Sequence, residues 1–369
     1  VRTPLCDVFG IEYPIFAFTH CRDVVAAVSK AGGLGVLGAV GFTPEQLEME
    51  LDWIDEHVDG KPYGVDTVMP QKSVEVHGAS REELYAQIRS MIPERHKEYV
   101  QELMERFELP PLPEGTEVGG VLGWAEDVAR QQLDIAFAHP IKLIANALGS
   151  PPKDVIEEAH RHGVKVAALA GKAQHAQRQV NDGVDIIVAQ GYEAGGHTGE
   201  VATMVLVPEV VDAVSPTPVL AAGGIGSGRQ IAAALALGAQ GVWLGSLWLT
   251  TAESSANPET LAAYLEASSS DTVRSRSYTG KPARMLRNKW TDAWADENGP
   301  GPLGMPLQNI LTAEANMRIA RSHRKDLAFA PVGQIVGRMN EVRPVRDVIF
   351  RLVEEYIETT EKLKQTLEG

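Results

Sequence analysis

One of the ten histidines of this 369-residue chain, His197, stands in the loop Gly191-Tyr192-Glu193-Ala194-Gly195-Gly196-His197-Thr198-Gly199, directly after the apolar run Val184-Asp185-Ile186-Ile187-Val188-Ala189. An imidazole titrates near neutral pH, so it can take or give a proton to a bound molecule. The apolar run reads as a parallel strand. In an α/β barrel the carboxyl ends of such strands form the face on which ligands bind, which puts His197 at the mouth. A loop histidine is also commonly a solvated or structural donor, and fold alone does not assign it a function.

The next segment supplies a place for a phosphate. Pro218-Val219-Leu220-Ala221-Ala222-Gly223-Gly224-Ile225-Gly226-Ser227-Gly228 leads into an alanine-rich helix, and then comes the apolar run Gly241-Val242-Trp243-Leu244-Gly245-Ser246. Two consecutive strands therefore end in glycine. Glycine lets backbone N–H groups approach an oxyanion, and the start of the helix is expected to add its positive dipole end. In barrels this cradle follows the last two strands. A glycine-rich turn alone can also be a tight connection, so the order of strand, turn, helix and strand carries the inference.

These segments, with Gly10-Ile11-Glu12-Tyr13-Pro14-Ile15, Ala31-Gly32-Gly33-Leu34-Gly35-Val36-Leu37-Gly38 and Pro62-Tyr63-Gly64-Val65-Asp66, resemble the nitronate monooxygenases, formerly called 2-nitropropane dioxygenases, over most of the chain. The resemblance implies an FMN-dependent barrel with His197 as the catalytic histidine. It places the FMN phosphate on Gly223, Gly224, Gly245 and Ser246. It extends the cofactor contacts to Gln190, Gly195, Gly196, Ala17, Phe18 and Asp66. No metal is implied. The activity it implies is oxidation of an alkyl nitronate with O2 to a carbonyl compound and nitrite.

Two positions depart from the family pattern. A glycine-and-methionine-rich turn common after the first strand is replaced by Phe16-Ala17-Phe18-Thr19-His20-Cys21, and an asparagine common at the end of the third strand is Asp66. An anionic carboxylate beside a flavin opposes its reduction unless it is paired or protonated. Asp66 can equally be a turn or capping carboxylate. The departures keep alternatives open, among them an NAD(P)H:quinone reductase, a flavin-dependent reductase or isomerase of unsaturated acyl substrates, and a non-catalytic flavin-binding protein. Barrels resembling IMP dehydrogenase need a loop cysteine, and neither Cys6 nor Cys21 lies in the matching part of the chain.

The elements that must position these residues form a βα repeat. Strands are expected at 13–17, 35–39, 62–67, 142–147, 164–169, 184–190, 219–223 and 241–245, the number a closed parallel barrel requires. Helices are expected at 22–31, 44–57, 151–162 and 227–237, with Thr43 and Pro44 opening the second. The strands read as continuous apolar runs, as parallel strands buried on both faces do. The fold class expected is thus an α/β, TIM-type (β/α)8 barrel over residues 1–250, in which the resemblance implies bound FMN. A charged helical insertion is expected at about 71–120, after the third strand, with helices at 81–91 and 94–107. The resemblance implies a small helical substrate-covering domain at 251–338, after the eighth strand, to whose entry Thr279-Gly280-Lys281-Pro282-Ala283-Arg284 is similar, and a C-terminal helix in 339–369 is expected to pack back on the barrel.

Composition agrees with a large-cored enzyme and excludes other classes. The chain is 44% hydrophobic with a formal charge of -15, which argues against nucleic-acid binding. The first residues lack the apolar run of a signal peptide and no uninterrupted apolar segment is long enough to span a membrane, so a cytoplasmic location is expected. The expected partners are a small-molecule substrate and O2, with a homo-oligomer compatible but not indicated. Two cysteines are too few for a disulfide scaffold or a cysteine metal site, and Cys21 reads as a small buried hydrophobe or as a group at the flavin mouth. The basic cluster Arg274, Arg276, Lys281, Arg284 and Arg287 suits either an anionic ligand or positioning of the cover domain. Trp243, Trp248, Trp290 and Trp294 suit a pocket lining or packing.

Overall fold

Each barrel strand of this chain alternates between two largely apolar environments, which is why its apolar runs are nearly unbroken. The computed structural model describes residues 1–69, 81–116, 118 and 126–368. Its strands are β1 (Ile15–Thr19), β2 (Leu34–Gly38), β3 (Tyr63–Thr67), β4 (Leu143–Asn146), β5 (Lys165–Ala170), β6 (Ile186–Gln190), β7 (Gly196–His197), β8 (Val219–Ala222), β9 (Gly241–Leu244), β10 (Thr272–Ser275) and β11 (Ala283–Leu286). Strands β1 to β6, β8 and β9 close an eight-stranded parallel barrel, sealed where Phe16 of β1 pairs with Trp243 of β9. Strands β10, β11 and β7 form a separate three-stranded sheet.

Inward residues such as Phe16, Val36, Ala145, Val188 and Trp243 fill the barrel, while Ala17, Leu37, Val65, Ile187 and Leu244 pack under the helices. The helix Pro4–Phe9 plugs the amino end of the barrel. Its Leu5, Cys6 and Phe9 join the inner cluster, with the Phe9 ring edge-on to Phe16 at 5.3 Å. The ring of helices is Arg22–Lys30, Pro44–His57, Glu126–Ala138, Lys153–Arg161, Ala173–Asp182, Thr203–Val214 and Gly228–Ala236. Thr43 Oγ1 accepts from Gln46 N while Gln46 Oε1 accepts from Thr43 N, a reciprocal cap for the second of them.

The eighth place in the ring is taken by the final helix, Val345–Glu368, which packs against Gly228–Ala236 and Arg22–Lys30. The cover region therefore leaves the barrel after β9 and returns beside its exit, where Ala252 N donates to Arg343 O at 2.9 Å. Besides its helices, the cover carries β10 and β11, which sequence periodicity did not disclose. Of the expected insertion, the helices Arg81–Ser90 and Glu94–Arg106 are described, whereas 71–80, 117, 119 and 120 lie outside the described residues. Val100, Leu103 and Phe107 of the insertion share one core with Trp290, Trp294 and Ile319 of the cover. Trp248 is buried in the barrel core with its indole donating to Leu244 O, so three of the four tryptophans considered above are packing residues away from the mouth. Among the described residues no helix is long and apolar enough to cross a membrane.

Candidate active site

Strand β6 delivers Gln190, half-buried, to the mouth on the same face as Ile186 and Val188. The chain then turns without room for a side chain. A Cβ on Gly191 would lie 2.0 Å from Thr203 Oγ1, so the loop can sit this close to the helix Thr203–Val214 only as glycine. Glu193 fastens it there by accepting from Thr203 N at 2.9 Å and Thr203 Oγ1 at 2.8 Å. The other side of the loop meets a segment that sequence analysis missed. Gln334 N donates to Glu193 O, Gly333 N donates to Ser246 Oγ at 2.8 Å, and a Cβ on Gly195 would lie 2.7 Å from Gly333 N. The only local signal was an unexceptional glycine in Pro331-Val332-Gly333-Gln334.

His197 itself lies on a strand. Gly196 pairs with Arg284 and His197 with Ala283, antiparallel, joining the histidine loop to the cover. Arg284 is 2% exposed and donates to Tyr192 O from Nε (3.2 Å) and Nη2 (3.0 Å) and to Thr272 Oγ1 from Nη1 (3.0 Å). Its guanidinium stands 4.5 Å from the Tyr192 ring centroid, and that of Arg274, which donates to Thr198 O, stands 4.9 Å from it. The basic cluster is thus dispersed. Arg276 donates to Gly280 O, Arg287 pairs with Asp292, and Arg274 and Arg284 clamp the loop.

The imidazole Nε2 lies 2.8 Å from Thr279 Oγ1. Thr279 has one hydroxyl proton and also contacts Lys281 O at 3.3 Å. With that proton on the carbonyl, Nε2–H donates to Oγ1 and Nδ1 carries the lone pair. Burial, reinforced by the positive charge of Lys281, pulls the His197 pKa down to about 4, so the ring is neutral at physiological pH. Replacing Lys281 with glutamine is expected to move the titration of His197, followed by NMR, toward higher pH. A titration unchanged from the parent would show that Lys281 exerts no field on the ring.

At the end of β8, Gly223 (φ +100°) and Gly224 (φ +69°) both occupy left-handed backbone space, which other residues enter only with strain. The turn is locked by Gln230, whose Oε1 accepts from Gly226 N and whose Nε2 donates to Gly224 O. The start of the next helix differs from the sequence expectation. Gly228 N donates to Glu355 Oε2 at 3.0 Å, so a carboxylate from the final helix already meets that positive end and a phosphate has no claim on it. What remains fits a phosphoryl group. A Cβ on Gly245 would stand in ordinary van der Waals contact with Phe18, 3.8 Å away. Ser246 Oγ accepts from Gly333 N, which leaves its proton to donate.

The ring-binding candidates divide. Phe18 is half-buried at the mouth, stacked on Trp243 (6.3 Å between centroids) and edge-on to His20 (5.1 Å). Ala17 packs outward under the helices, so its side chain cannot line the mouth and only its backbone is available. Cys21 is buried, with Sγ donating to Glu253 O. Asp66 follows Gly64 on the inner face of β3 and is 3% exposed. Burial pushes its pKa up to about 8, so it is mostly protonated at neutral pH and can donate a hydrogen bond.

Holding that proton has a cost in stability with a definite sign. Below about pH 4 the acid is protonated folded and unfolded; above it the unfolded chain ionises first, so folding is penalised increasingly until about pH 8, where the term levels off. Asp66→Asn is therefore expected to match the parent in thermal stability at pH 4 and exceed it by on the order of a few kcal/mol at pH 8. An advantage independent of pH would show that ionisation of Asp66 is not its source.

The site geometry can be set beside known proteins. The family model described as nitronate monooxygenase matches residues 2–355. A Mycobacterium tuberculosis protein named "Putative monooxygenase Rv1533" is 56% identical over 99% of both chains. A Staphylococcus aureus "Probable nitronate monooxygenase" is 30% identical over 96% of this chain and 97% of its own. Among solved structures, a nitroalkane oxidase from Streptomyces ansochromogenes superposes with a TM-score of 0.81 at 27% identity, covering 97% of this chain and 99% of that one. FabK from Thermotoga maritima gives 0.75 at 28% identity over 99% of each. With the barrel, the histidine loop and the glycine cradle in the order this family model spans, the chain belongs to the nitronate monooxygenase family.

Proposed function

We propose that this protein is an FMN-dependent monooxygenase that oxidises alkyl nitronates with O2 to carbonyl compounds and nitrite. The observation that carries the reading is a neutral, partly desolvated imidazole held by Thr279 after β6, on a loop packed against Gly223 and Gly224 at the end of β8. Gly223, Gly224, Gly245 and Ser246 would hold the FMN phosphate, and Phe18, Gln190 and Asp66 would border its ring. When bound, FMN supplies the redox chemistry, taking electrons from an electron-rich carbon and passing them to O2.

The remaining work falls to the chain itself. The Lys281 ammonium, close enough to depress the basicity of His197, also favours an anionic substrate at that position. His197 accepts the α-proton when the substrate arrives as a neutral nitroalkane. A base whose conjugate acid has a pKa of about 4 is poorly matched to a carbon acid, so preformed nitronate is the better substrate. Protonated Asp66 donates toward the ring instead of placing a negative charge beside it.

The test is the absorbance spectrum of the purified protein followed by anaerobic titration with a nitronate and, separately, with NADPH. Bleaching by nitronate with nitrite release in air supports the proposal. The second reading that the sequence departures keep open is a hydride-fed reductase, for which bleaching by NADPH alone would be the sign. Bound flavin inert to both reagents would leave a non-catalytic flavoprotein.

A further inference from the structure

On the outer wall of the barrel, far in sequence from the histidine loop, three metal-ligating side chains converge. Glu48 and Asp52 lie one turn apart on the helix Pro44–His57, and His139 follows the helix Glu126–Ala138. One ring nitrogen of His139 and one carboxylate oxygen from each acid lie within 4.8 Å of one another. The two acids are exposed, whereas the His139 side chain is only 7% exposed.

The histidine is oriented by a second carboxylate. Its Nδ1 lies 2.7 Å from Asp55 Oδ2, and Asp55 Oδ1 in turn accepts from Tyr63 OH at 2.6 Å. A buried imidazole that donates Nδ1–H to a carboxylate presents a lone pair at Nε2, and among the described residues nothing hydrogen-bonds to that nitrogen. A carboxylate fixing the far nitrogen of a histidine is the arrangement that orients metal-bound imidazoles and raises their basicity. Asp55 and Tyr63 thus give His139 a tautomer and a direction that packing alone does not require.

We propose that Glu48, Asp52 and His139 bind a zinc-class divalent cation through Nε2 and one oxygen from each carboxylate, with water completing a four-coordinate site. Two carboxylates and a neutral imidazole balance the double charge. The nitrogen donor selects a borderline transition metal over magnesium or calcium, which take oxygen ligands. Around a tetrahedral ion with bonds of about 2.1 Å, ligand atoms stand roughly 3.4 Å apart, a contraction that exposed Glu48 and Asp52 side chains can make by rotamer changes. The ion would tie the helix Pro44–His57 to the loop that precedes β4.

The test uses full-length, tag-free protein, stripped with a chelator and titrated calorimetrically with Zn2+, with Co2+ as a spectroscopic probe. One equivalent of Zn2+ is expected, accompanied by a rise in Tm and, with Co2+, by visible absorption of a four-coordinate site. Asp52→Asn and His139→Gln should each weaken binding at least about tenfold and abolish the Tm rise, and Asp55→Asn, which leaves every ligand in place, should weaken it about 10- to 100-fold. Asp52 is exposed, so its variant keeps the test sound if the His139 variant does not fold. Binding weaker than about 100 µM, binding undiminished in Asp52→Asn and His139→Gln, or equal affinity for Mg2+ would overturn the site.

Discussion

Replacing His197 with asparagine is expected to leave the fold and the flavin content intact while lowering turnover on a neutral nitroalkane by about 10²-fold or more. Turnover on preformed nitronate should fall by no more than about tenfold, because a nitronate arrives without the proton that the imidazole removes. The asymmetry follows from the neutral ring, which carries no charge with which to hold an anion. Steady-state kinetics on both substrates, with flavin content measured on the same preparations, reads the effect. Equal losses would mean that His197 positions the substrate and does not take its proton.

Replacing Arg284 with methionine is expected to destabilise the protein by about 3 kcal/mol and, independently, to reduce kcat. The guanidinium makes three hydrogen bonds from a buried position and covers the Tyr192 ring, so an apolar side chain of similar length leaves the Tyr192 carbonyl without its donors. That carbonyl lies five residues before His197, on the loop whose geometry sets the site. Denaturant unfolding measures the first effect. The second must persist at a temperature where the variant is fully folded; a variant that unfolds early but turns over normally when folded would make Arg284 a stability residue only.

Much of the barrel was legible because its strands are buried on both sides and its helices carry local signals. The expected strand at 184–190 is observed as Ile186–Gln190, and Thr43 caps its helix as its sequence context indicates. What escaped were relations between distant residues. Gly196-His197 becomes a strand only because Ala283 and Arg284 lie beside it, and two residues carry no periodicity of their own. Glu355, near the C-terminus, meets the helix start that seemed reserved for a phosphate. Thr279 and Gly333 reach the candidate site from the cover; the run Thr279-Gly280-Lys281-Pro282-Ala283-Arg284 resembles the entry of the family's cover domain but does not announce the contact with His197, and Gly333 has no such signal beside it. The Asp66 departure looked electrostatically awkward in the sequence, and only its burial, a property of the folded barrel, removes the charge.

The pairing of His197 with Ala283 restricts how molecules can enter. A cover able to swing aside like a trapdoor would have to tear its own ladder from the very backbone that bears the imidazole, dismantling the apparatus each time it opened. The cover strand and the backbone beneath the imidazole therefore travel together or not at all.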